Sequence, residues 1–244
     1  MAKHSHWDNI KHKKSANDKK KASVIARMGK LITVAVQVGG GPHLEDNPRL
    51  RLAVAKARSN KMNNEAIERA IRKAAGDGAS GKTMDELTYE GYAPGGVAVV
   101  VSALTDNRNR TAPEVKKAFE RVGGAIGAPG CVSWQFKDKA MFLIDEATED
   151  QVIEALLSAD ADAEDISQIE TQVSITAEPA QYDAIIKALA AAKLTVASAE
   201  LAKLPDNHVV VTKPEHVKAL SDLIDELEEL EDVQDVYNNA ELPA

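Results

Sequence analysis

The amino-acid sequence predicts an α+β protein of several domains: an N-terminal three-helix bundle followed by two ferredoxin-like α/β sandwiches, the last inserted in the other. Charge is one reason. Residues 1–82 hold 18 Lys+Arg and 7 Asp+Glu, a net of +11, whereas residues 83–244 hold 12 and 31, a net of −19. The second reason is periodicity, which is helical at first and strand-like in part from residue 77 onward. A basic helical module therefore precedes an acidic α/β part, and the total of −8 hides this polarity.

The basic module predicts three helices. The first has an apolar stripe with steps of four and three residues and ends at the glycine run before Pro42. The second begins with Asn47 as N-cap and Pro48 in the first helical position. The third follows the segment NKMNN and ends at Gly76. The expected core stripes of these helices are Val24, Met28, Leu31, Ala35 and Val38; Leu50, Ala53, Val54 and Ala57; and Ile67, Ala70, Ile71 and Ala74.

After the glycine-rich linker GDGASGKTMDE, apolar runs alternate with helical ones. The run GVAVVVSAL is typical of a buried strand, and CVSWQF alternates as a strand does. Expected strands cover residues 96–104, 131–136, 140–145, 171–176, 194–201, 208–212 and 233–238, with a short one near EDISQI, and expected helices cover residues 111–122, 149–157, 179–192 and 214–230.

Two segments of the acidic part share one order of elements. Residues 173–200 and 209–238 each read as strand, proline-started helix and closing strand. Residues 139–200 suit a ferredoxin-like sandwich, and the flanking units 88–136 and 206–238 could then pair into a second one. The predicted domains are a basic helical domain with an N-terminal arm (1–77), an α/β domain (83–137 plus 205–240) and an inserted α/β domain (138–204).

No catalytic constellation stands out. The glycines at 123, 124, 127 and 130 follow a helix and precede a strand, the reverse of a phosphate-binding loop, so a tight connection is expected. Cys131 is the only cysteine, which excludes an internal disulfide, and a buried small side chain is the simplest role for it. The histidines of the arm lack a carboxylate scaffold and are weak metal ligands. We expect no enzyme activity, no cofactor and no metal.

The segment TDNRNRT, residues 105–111, lies between a predicted buried strand and a helix, where ligand contacts concentrate in α/β proteins. Asn109 or Thr111 could cap the helix. Capping does not explain Arg108 and Arg110, whose side chains bind phosphate in a bidentate manner. Two roles stay open for these arginines: contact with an anion, or a buried pair with an acidic residue of the same half.

The arm MAKHSHWDNIKHKK is typical of nucleic-acid contact, because its cations neutralise phosphates and its tryptophan can stack on a base. A solubilising role for the lysines, with the tryptophan folded back onto the bundle, is the alternative. Duplex-reading motifs such as zinc fingers are missing, so base-specific readout is not expected. The candidate nucleic-acid contacts are Lys3, His4, Trp7, Lys11, His12, Lys13, Lys14, Lys19, Lys20, Lys21, Arg49, Arg51, Arg58, Arg108 and Arg110.

Several stretches together resemble the YebC/PmpR family in order and spacing over nearly the whole chain. They are MAKHSHWDNIKHKK, NPRLR, NKMNNEAIERAIRK, YEGYAPGGVAVVV, TDNRNRT and GGAIGAPGCVSWQF. The resemblance implies three domains, a helical one and two α/β ones, and a non-enzymatic role in gene expression. Bacterial members are described as probable DNA-binding transcriptional regulators, and a related mitochondrial protein is a translational activator of cytochrome c oxidase. Family members are also linked to stalled ribosomes.

We therefore expect a non-enzymatic nucleic-acid-binding regulator, with DNA or ribosomal or transfer RNA as partner. A ribosome-associated translation factor is the alternative, and a nucleic-acid-modifying enzyme a remote third. The strongly acidic half repels a second stretch of duplex backbone, which favours RNA on physical grounds. The sequence has neither a secretory signal pattern nor a membrane-length apolar run, so we expect a cytoplasmic protein without a membrane partner. The oligomeric state does not follow from the sequence.

Overall fold

The structure of the protein, a computed structural model, describes residues 18–76 and 84–242, with side chains from residue 23 onward. Its N-terminal part is a bundle of three helices. They are α1 (Asp18–Val38), α2 (Pro48–Ser59) and α3 (Asn64–Ala75).

The connection between α1 and α2 depends on Asn47, which is fully buried. Its side-chain oxygen accepts a hydrogen bond from the Leu50 amide at 2.9 Å, which caps α2 as predicted. Its amide nitrogen donates to the carbonyls of Ala35 and Gly41, each at 2.8 Å. A Cβ at Gly39 would lie 2.3 Å from the Asn47 side-chain oxygen, so only glycine fits there. This one asparagine fixes how two helices meet.

The bundle core follows the predicted stripes with one error. Leu50, Ala53, Val54 and Ala57 are all buried on α2, as expected. On α1, however, Val38 is 68% exposed, and Ile32 is fully buried instead. The reason is local: Val38 is the last helical residue, just before the glycine turn, and it lies past the end of the packed face.

The outer α/β unit contains six strands and two helices. They are β1 (Asp85–Ala93), β2 (Val97–Thr105), α4 (Arg108–Arg121), β3 (Ala125–Ile126), β8 (Val209–Val210), α7 (Pro214–Glu229), β9 (Val233–Asn238) and β10 (Ala240–Glu241). Four of the strands form an antiparallel sheet in the order β3-β1-β2-β9. Helices α4 and α7 pack on one face of this sheet. A separate pair of short parallel strands, β8 and β10, lies beside it.

The middle unit has the βαββαβ order of a ferredoxin-like sandwich. Its elements are β4 (Phe136–Asp145), α5 (Glu149–Ser158), β5 (Asp165–Ile169), β6 (Gln172–Ala177), α6 (Tyr182–Ala191) and β7 (Thr195–Pro205). The strands lie in the order β5-β6-β4-β7, and all of the strand pairs are antiparallel. In sequence the unit lies between β2 and β9, which are hydrogen-bonded neighbours in the outer sheet, so the predicted insertion is confirmed.

The two sheets meet around Tyr237 on β9. Its side chain packs against the cluster of Met141, Leu143 and Ala202 in the middle sheet and against a second cluster that includes Ala98 and Val100 of the outer sheet. Burial in this contact raises the pKa of Tyr237 well above its ordinary value. The outer sheet is therefore covered on both faces, which explains why eight of the nine residues of β2 are buried.

Two sequence predictions in this region are wrong. Residues 131–136 were expected to form a strand, but Ser133–Gln135 form a 3₁₀ turn and the strand begins at Phe136. The cause is a buried carboxylate that binds the backbone of this segment, described below. The linker prediction also reaches too far, because the first strand already begins at Asp85.

Candidate nucleic-acid interface

The arm residues predicted to contact nucleic acid lie outside the described part of the chain. This applies to Lys3, His4, Trp7, Lys11, His12, Lys13 and Lys14. Lys19, Lys20 and Lys21 belong to the first turns of α1, but they precede residue 23, from which the structure describes side chains. The roles assigned to these ten residues stay predictions.

Part of the bundle's positive charge faces the acidic α/β units and is neutralised there. Lys30 Nζ lies 2.8 Å from Asp232 Oδ1, and Lys56 Nζ lies 2.5–2.6 Å from the two carboxylate oxygens of Asp235. Arg51 binds Asp183 of the middle unit at 2.7 Å, and Arg49 pairs with Glu86 of β1. These four cations hold the bundle on both α/β units, so two of the predicted contacts, Arg49 and Arg51, already have carboxylate partners.

A second set of basic side chains points to solvent. Within residues 23–76 and 84–242, Arg58, Lys61, Arg72 and Lys73 are exposed and form no ion pair. Arg58 makes only a 3.3 Å hydrogen bond to the Asn64 side chain. We call these four residues the exposed cations of the bundle. Of these four, only Arg58 is a residue predicted from the sequence. Arg72 and Lys73 lie on the side of α3 away from the buried Ile67 and Ala74, and this helical spacing is the signal that would have found them.

Three residues of the TDNRNRT segment converge on one buried carboxylate. Asp232 is 2% exposed and accepts hydrogen bonds from the Thr105 hydroxyl (3.0 Å), Arg110 (2.6 Å) and the Thr111 hydroxyl (2.8 Å), besides Lys30. Burial opposes ionisation of this carboxyl, but the hydrogen bonds from Lys30, Arg110 and the two threonines outweigh it and lower its pKa. The segment thus joins β2, α4 and the start of β9.

The helix after this segment begins earlier than predicted. Asn107, and not Asn109 or Thr111, is the N-cap of α4, because its side chain accepts from the amides of Asn109 and Arg110 at 3.1 and 3.2 Å. Thr111 is fully buried in the second turn. The predicted caps are therefore wrong, since the helix starts at Arg108 and places both of these residues inside it.

Arg108 and Arg110 both have acidic partners. Arg108 binds the two carboxylate oxygens of Asp85 at 2.7 and 2.9 Å, and the hydrogen bond it donates lowers the pKa of Asp85. Arg110 binds Asp232 and also Asp106 at 3.1 Å. Arg110 thus has the buried carboxylate partner that one of the two open roles requires, whereas Arg108 and Asp85 form their pair at the surface. Nucleic-acid contact by either of them would have to compete with a bidentate or buried carboxylate.

The glycine segment before β4 is held by Glu90 of β1, a buried side chain. Its carboxylate accepts from the backbone amides of Gly130 (2.7 Å), Val132 (2.9 Å) and Ser133 (2.7 Å). Desolvation raises the pKa of Glu90, but the three amides and the Ser133 side chain reverse the effect, so the net pKa is lowered. The backbone donors that a phosphate would need are occupied by the protein's own carboxylate, in agreement with a tight connection.

Two aromatic side chains are exposed beside this segment. Trp134 is 69% exposed and Tyr92 is 40% exposed. Between them lies Cys131, a half-buried thiol whose pKa is raised by burial and by the charge of Glu90. A raised thiol pKa is the opposite of what a nucleophilic cysteine requires.

The part of the chain that the structure describes contains no group of three His, Cys, Asp or Glu side chains arranged to hold a metal ion. The same residues include no helix with the length and apolar character needed to cross a bilayer. The histidines of the arm lie outside this description.

Comparisons with known proteins cover the whole chain. Residues 5–77 match the TACO1/YebC protein N-terminal domain, and residues 84–240 match the TACO1/YebC second and third domain. A probable transcriptional regulatory protein of Brachyspira hyodysenteriae is 43% identical over 222 residues, 90% of this chain and 89% of its own. Another protein of this name, from Desulfotalea psychrophila, is 43% identical over 99% of this chain and 96% of its own.

A solved structure agrees with the fold. The crystal structure of a conserved hypothetical protein from Aquifex aeolicus superposes with a TM-score of 0.84 at 39% sequence identity, covering 98% of each chain. The boundary between the two matched family domains lies between the helical bundle and the first strand, where the net charge and the periodicity of the sequence also change. The chain belongs to the TACO1/YebC family.

Proposed function

We propose that this protein is a non-enzymatic, nucleic-acid-binding regulator of gene expression that acts in the cytoplasm. The observation that carries the proposal is the division of the bundle's cations. Lys30, Arg49, Arg51 and Lys56 are used to attach the bundle to the acidic units, whereas the exposed cations of the bundle have no carboxylate partner among the described residues. The relatives' names, which describe transcriptional regulators, support the regulatory part of the proposal.

Electrostatics favours the bundle and the arm as the contact surface. An exposed lysine or arginine without a partner gains free energy when it neutralises a phosphate and releases a counterion. A cation already paired with a carboxylate gains much less, because the existing pair must be broken first. The arm supplies Lys3, Lys11, Lys13 and Lys14, and the bundle adds Arg58, Lys61, Arg72 and Lys73. Arg108 and Arg110 become secondary candidates.

The choice between DNA and RNA is a second step. Residues 83–244 contain 12 Lys+Arg and 31 Asp+Glu, and several of these cations form ion pairs with carboxylates of the same protein. Such a surface repels any long duplex that bends around the molecule. A translation factor that binds structured RNA through one end of the molecule is therefore the alternative proposal. Crosslinking in cells followed by sequencing of the bound nucleic acid distinguishes the two.

Charge reversal of the exposed cations tests the proposal in the full-length protein. We expect Arg58→Glu with Lys61→Glu to weaken binding to a labelled oligonucleotide and to reduce the slope of log K against log salt by about one unit per lost phosphate contact. The matched control is Lys116→Glu with Lys117→Glu, two exposed lysines on α4 of the acidic half. Fluorescence anisotropy at several salt concentrations measures both quantities.

The arm is tested in the same assay. Deletion of residues 1–17, or replacement of Lys11, Lys13 and Lys14 by alanine, should weaken binding and flatten its salt dependence in the same way. Equal binding by the wild type, the bundle variant and the arm variants across the salt titration would refute the proposed contact surface. Retained affinity in the bundle variant together with lost affinity in the control would place the contact on α4.

A further inference from the structure

The exposed side chains of Trp134 and Tyr92, beside the glycine segment, are held in place by hydrogen bonds to the backbone. The Trp134 indole N–H donates to the Cys131 carbonyl at 3.2 Å, and the Tyr92 hydroxyl donates to the same oxygen at 3.3 Å. Both polar groups of the two rings are thus satisfied within the protein. The ring faces are what remains for a partner.

The segment that carries these contacts is anchored from below. The Glu90 carboxylate binds the amides of Val132 and Ser133, which flank Trp134 on its N-terminal side, and the amide of Gly130 before Cys131. On the other side, the Asp206 amide donates to the Gln135 carbonyl at 2.7 Å. A large apolar ring that is exposed yet held on such a support loses little conformational entropy when it binds.

We propose that Trp134, with Tyr92 beside it, is a stacking platform for an unpaired base of a nucleic acid. The inference rests on the proposed function and adds that the ligand has single-stranded or looped nucleotides. Bases inside a duplex are already stacked on both faces, so only an unpaired base can use a protein ring. Because the hydrogen-bonding groups of both rings are occupied, recognition should tolerate any base.

The surroundings of the rings favour a base over an apolar peptide. Residues 127–130, Gly-Ala-Pro-Gly, are exposed and small, and Gln135 is polar. These neighbours leave the ring faces accessible but do not form the hydrophobic groove that peptide recognition requires. Lys137, three residues beyond Trp134, is 62% exposed and pairs at 3.0 Å with Asp206, itself 40% exposed, which leaves a cation at the surface in the same stretch of chain as Trp134.

Fluorescence of Trp134 provides a direct test. The chain has two tryptophans, so Trp7→Phe leaves Trp134 as the single emitter, and all comparisons are made within this background. The probes are a thymidine 12-mer and an abasic 12-mer of equal charge. We expect the thymidine oligomer to quench the emission and to bind about tenfold more tightly than the abasic one. Adding Trp134→Ala removes the emitter, so the affinities of all variants are measured by the anisotropy of labelled oligomers. This variant should lose the preference while the salt slope is unchanged.

The control is Leu157→Ala, which removes another highly exposed apolar side chain, and circular dichroism verifies that each variant folds. Equal affinity for both oligomers with no quenching would overturn the platform, even if the salt-dependent binding of the proposed function is intact. Failure of both oligomers to bind at low salt would instead refute the proposed function. Quenching that depends on protein concentration alone would assign the rings to contact with a second copy, and would also overturn the platform.

Discussion

At the scale of single residues, Asp232 and Glu90 have the same physical character. Each is a buried carboxylate whose pKa is lowered because several donors compensate the cost of removing it from water. Asp232 collects side chains from α1, β2 and α4, whereas Glu90 collects backbone amides from one segment. In both cases a donor that could bind a foreign anion is already engaged by the protein itself.

This leads to a pH-dependent prediction for Asp232. The pKa of folded Asp232 lies below the unfolded value of about 3.9, so its stabilising contribution is fully present above that value and is lost as the pH falls from there through the lower folded-state pKa. We expect Asp232→Asn to lower the free energy of unfolding at pH 7 by about 3 kcal/mol, because Arg110 and Lys30 lose their charged partner. Between about pH 4 and pH 2 the difference from wild type should shrink.

Urea unfolding at pH 7, 4 and 3 measures this difference. Asp222→Asn is the matched control, since Asp222 is exposed and pairs with Lys218 within the same helix. An Asp232→Asn variant as stable as the control at pH 7 would show that the buried network contributes nothing net.

At the scale of elements, the start of α4 is the instructive case. Five of the seven residues of TDNRNRT are of types that cap a helix, and the observed cap, Asn107, comes two residues before Asn109 and four before Thr111. Cap residues are recognised by type, but their choice depends on where the preceding strand ends. Here β2 continues to Thr105, so the chain must turn at once.

Alanine substitutions distinguish the two assignments. Asn107→Ala should cost about 1 kcal/mol of stability, because the amides of Asn109 and Arg110 lose their acceptor. Asn109→Ala, at an exposed helical position with no capping bond, should be neutral or slightly stabilising. Chemical denaturation of both variants checks the order; a larger loss for Asn109→Ala would restore the cap that the sequence suggested.

At the scale of the whole molecule, the bundle is attached to the α/β units largely through ion pairs. Lys30 and Lys56 bind the start of β9, Arg49 binds β1, and Arg51 binds α6 of the middle unit. Leu52 adds an apolar contact to the middle core. Interfaces of this polar kind permit relative motion of domains more readily than apolar ones do, and salt weakens them.

We therefore expect Asp183→Asn with Asp235→Asn to loosen the bundle without unfolding it. Amide hydrogen exchange in α2 should accelerate about tenfold, while exchange in β6 of the middle sheet stays the same. Asp138→Asn, which removes a pair between two strands of one sheet, is the control and should leave α2 unchanged. Unaltered exchange in α2 of the double variant would mean that apolar contacts alone hold the bundle.

The helices of the bundle, the apolar strands and the polarity of charge can all be predicted from the amino-acid sequence. These features depend on periodicity, caps and glycines within a few residues, as at Asn47 and Gly76. The sequence also carried the family resemblance, which the matches over residues 5–77 and 84–240 confirm. The candidate arm was found in the same way, and its role stays a prediction.

The pairing of cations with carboxylates, in contrast, depends on how the folded chain packs. Arg110 and Asp232 are 122 residues apart in sequence. Val132 is 42 residues from Glu90, whose carboxylate accepts the hydrogen bond of the Val132 amide, so that this amide is not part of a strand. Local patterns hold no information about such pairs, because the fold selects them when it brings distant strands to one edge. For the same reason, the sequence predicts that Arg108 and Arg110 could bind an anion, but their partners, Asp85 and Asp232, are known only from the folded structure.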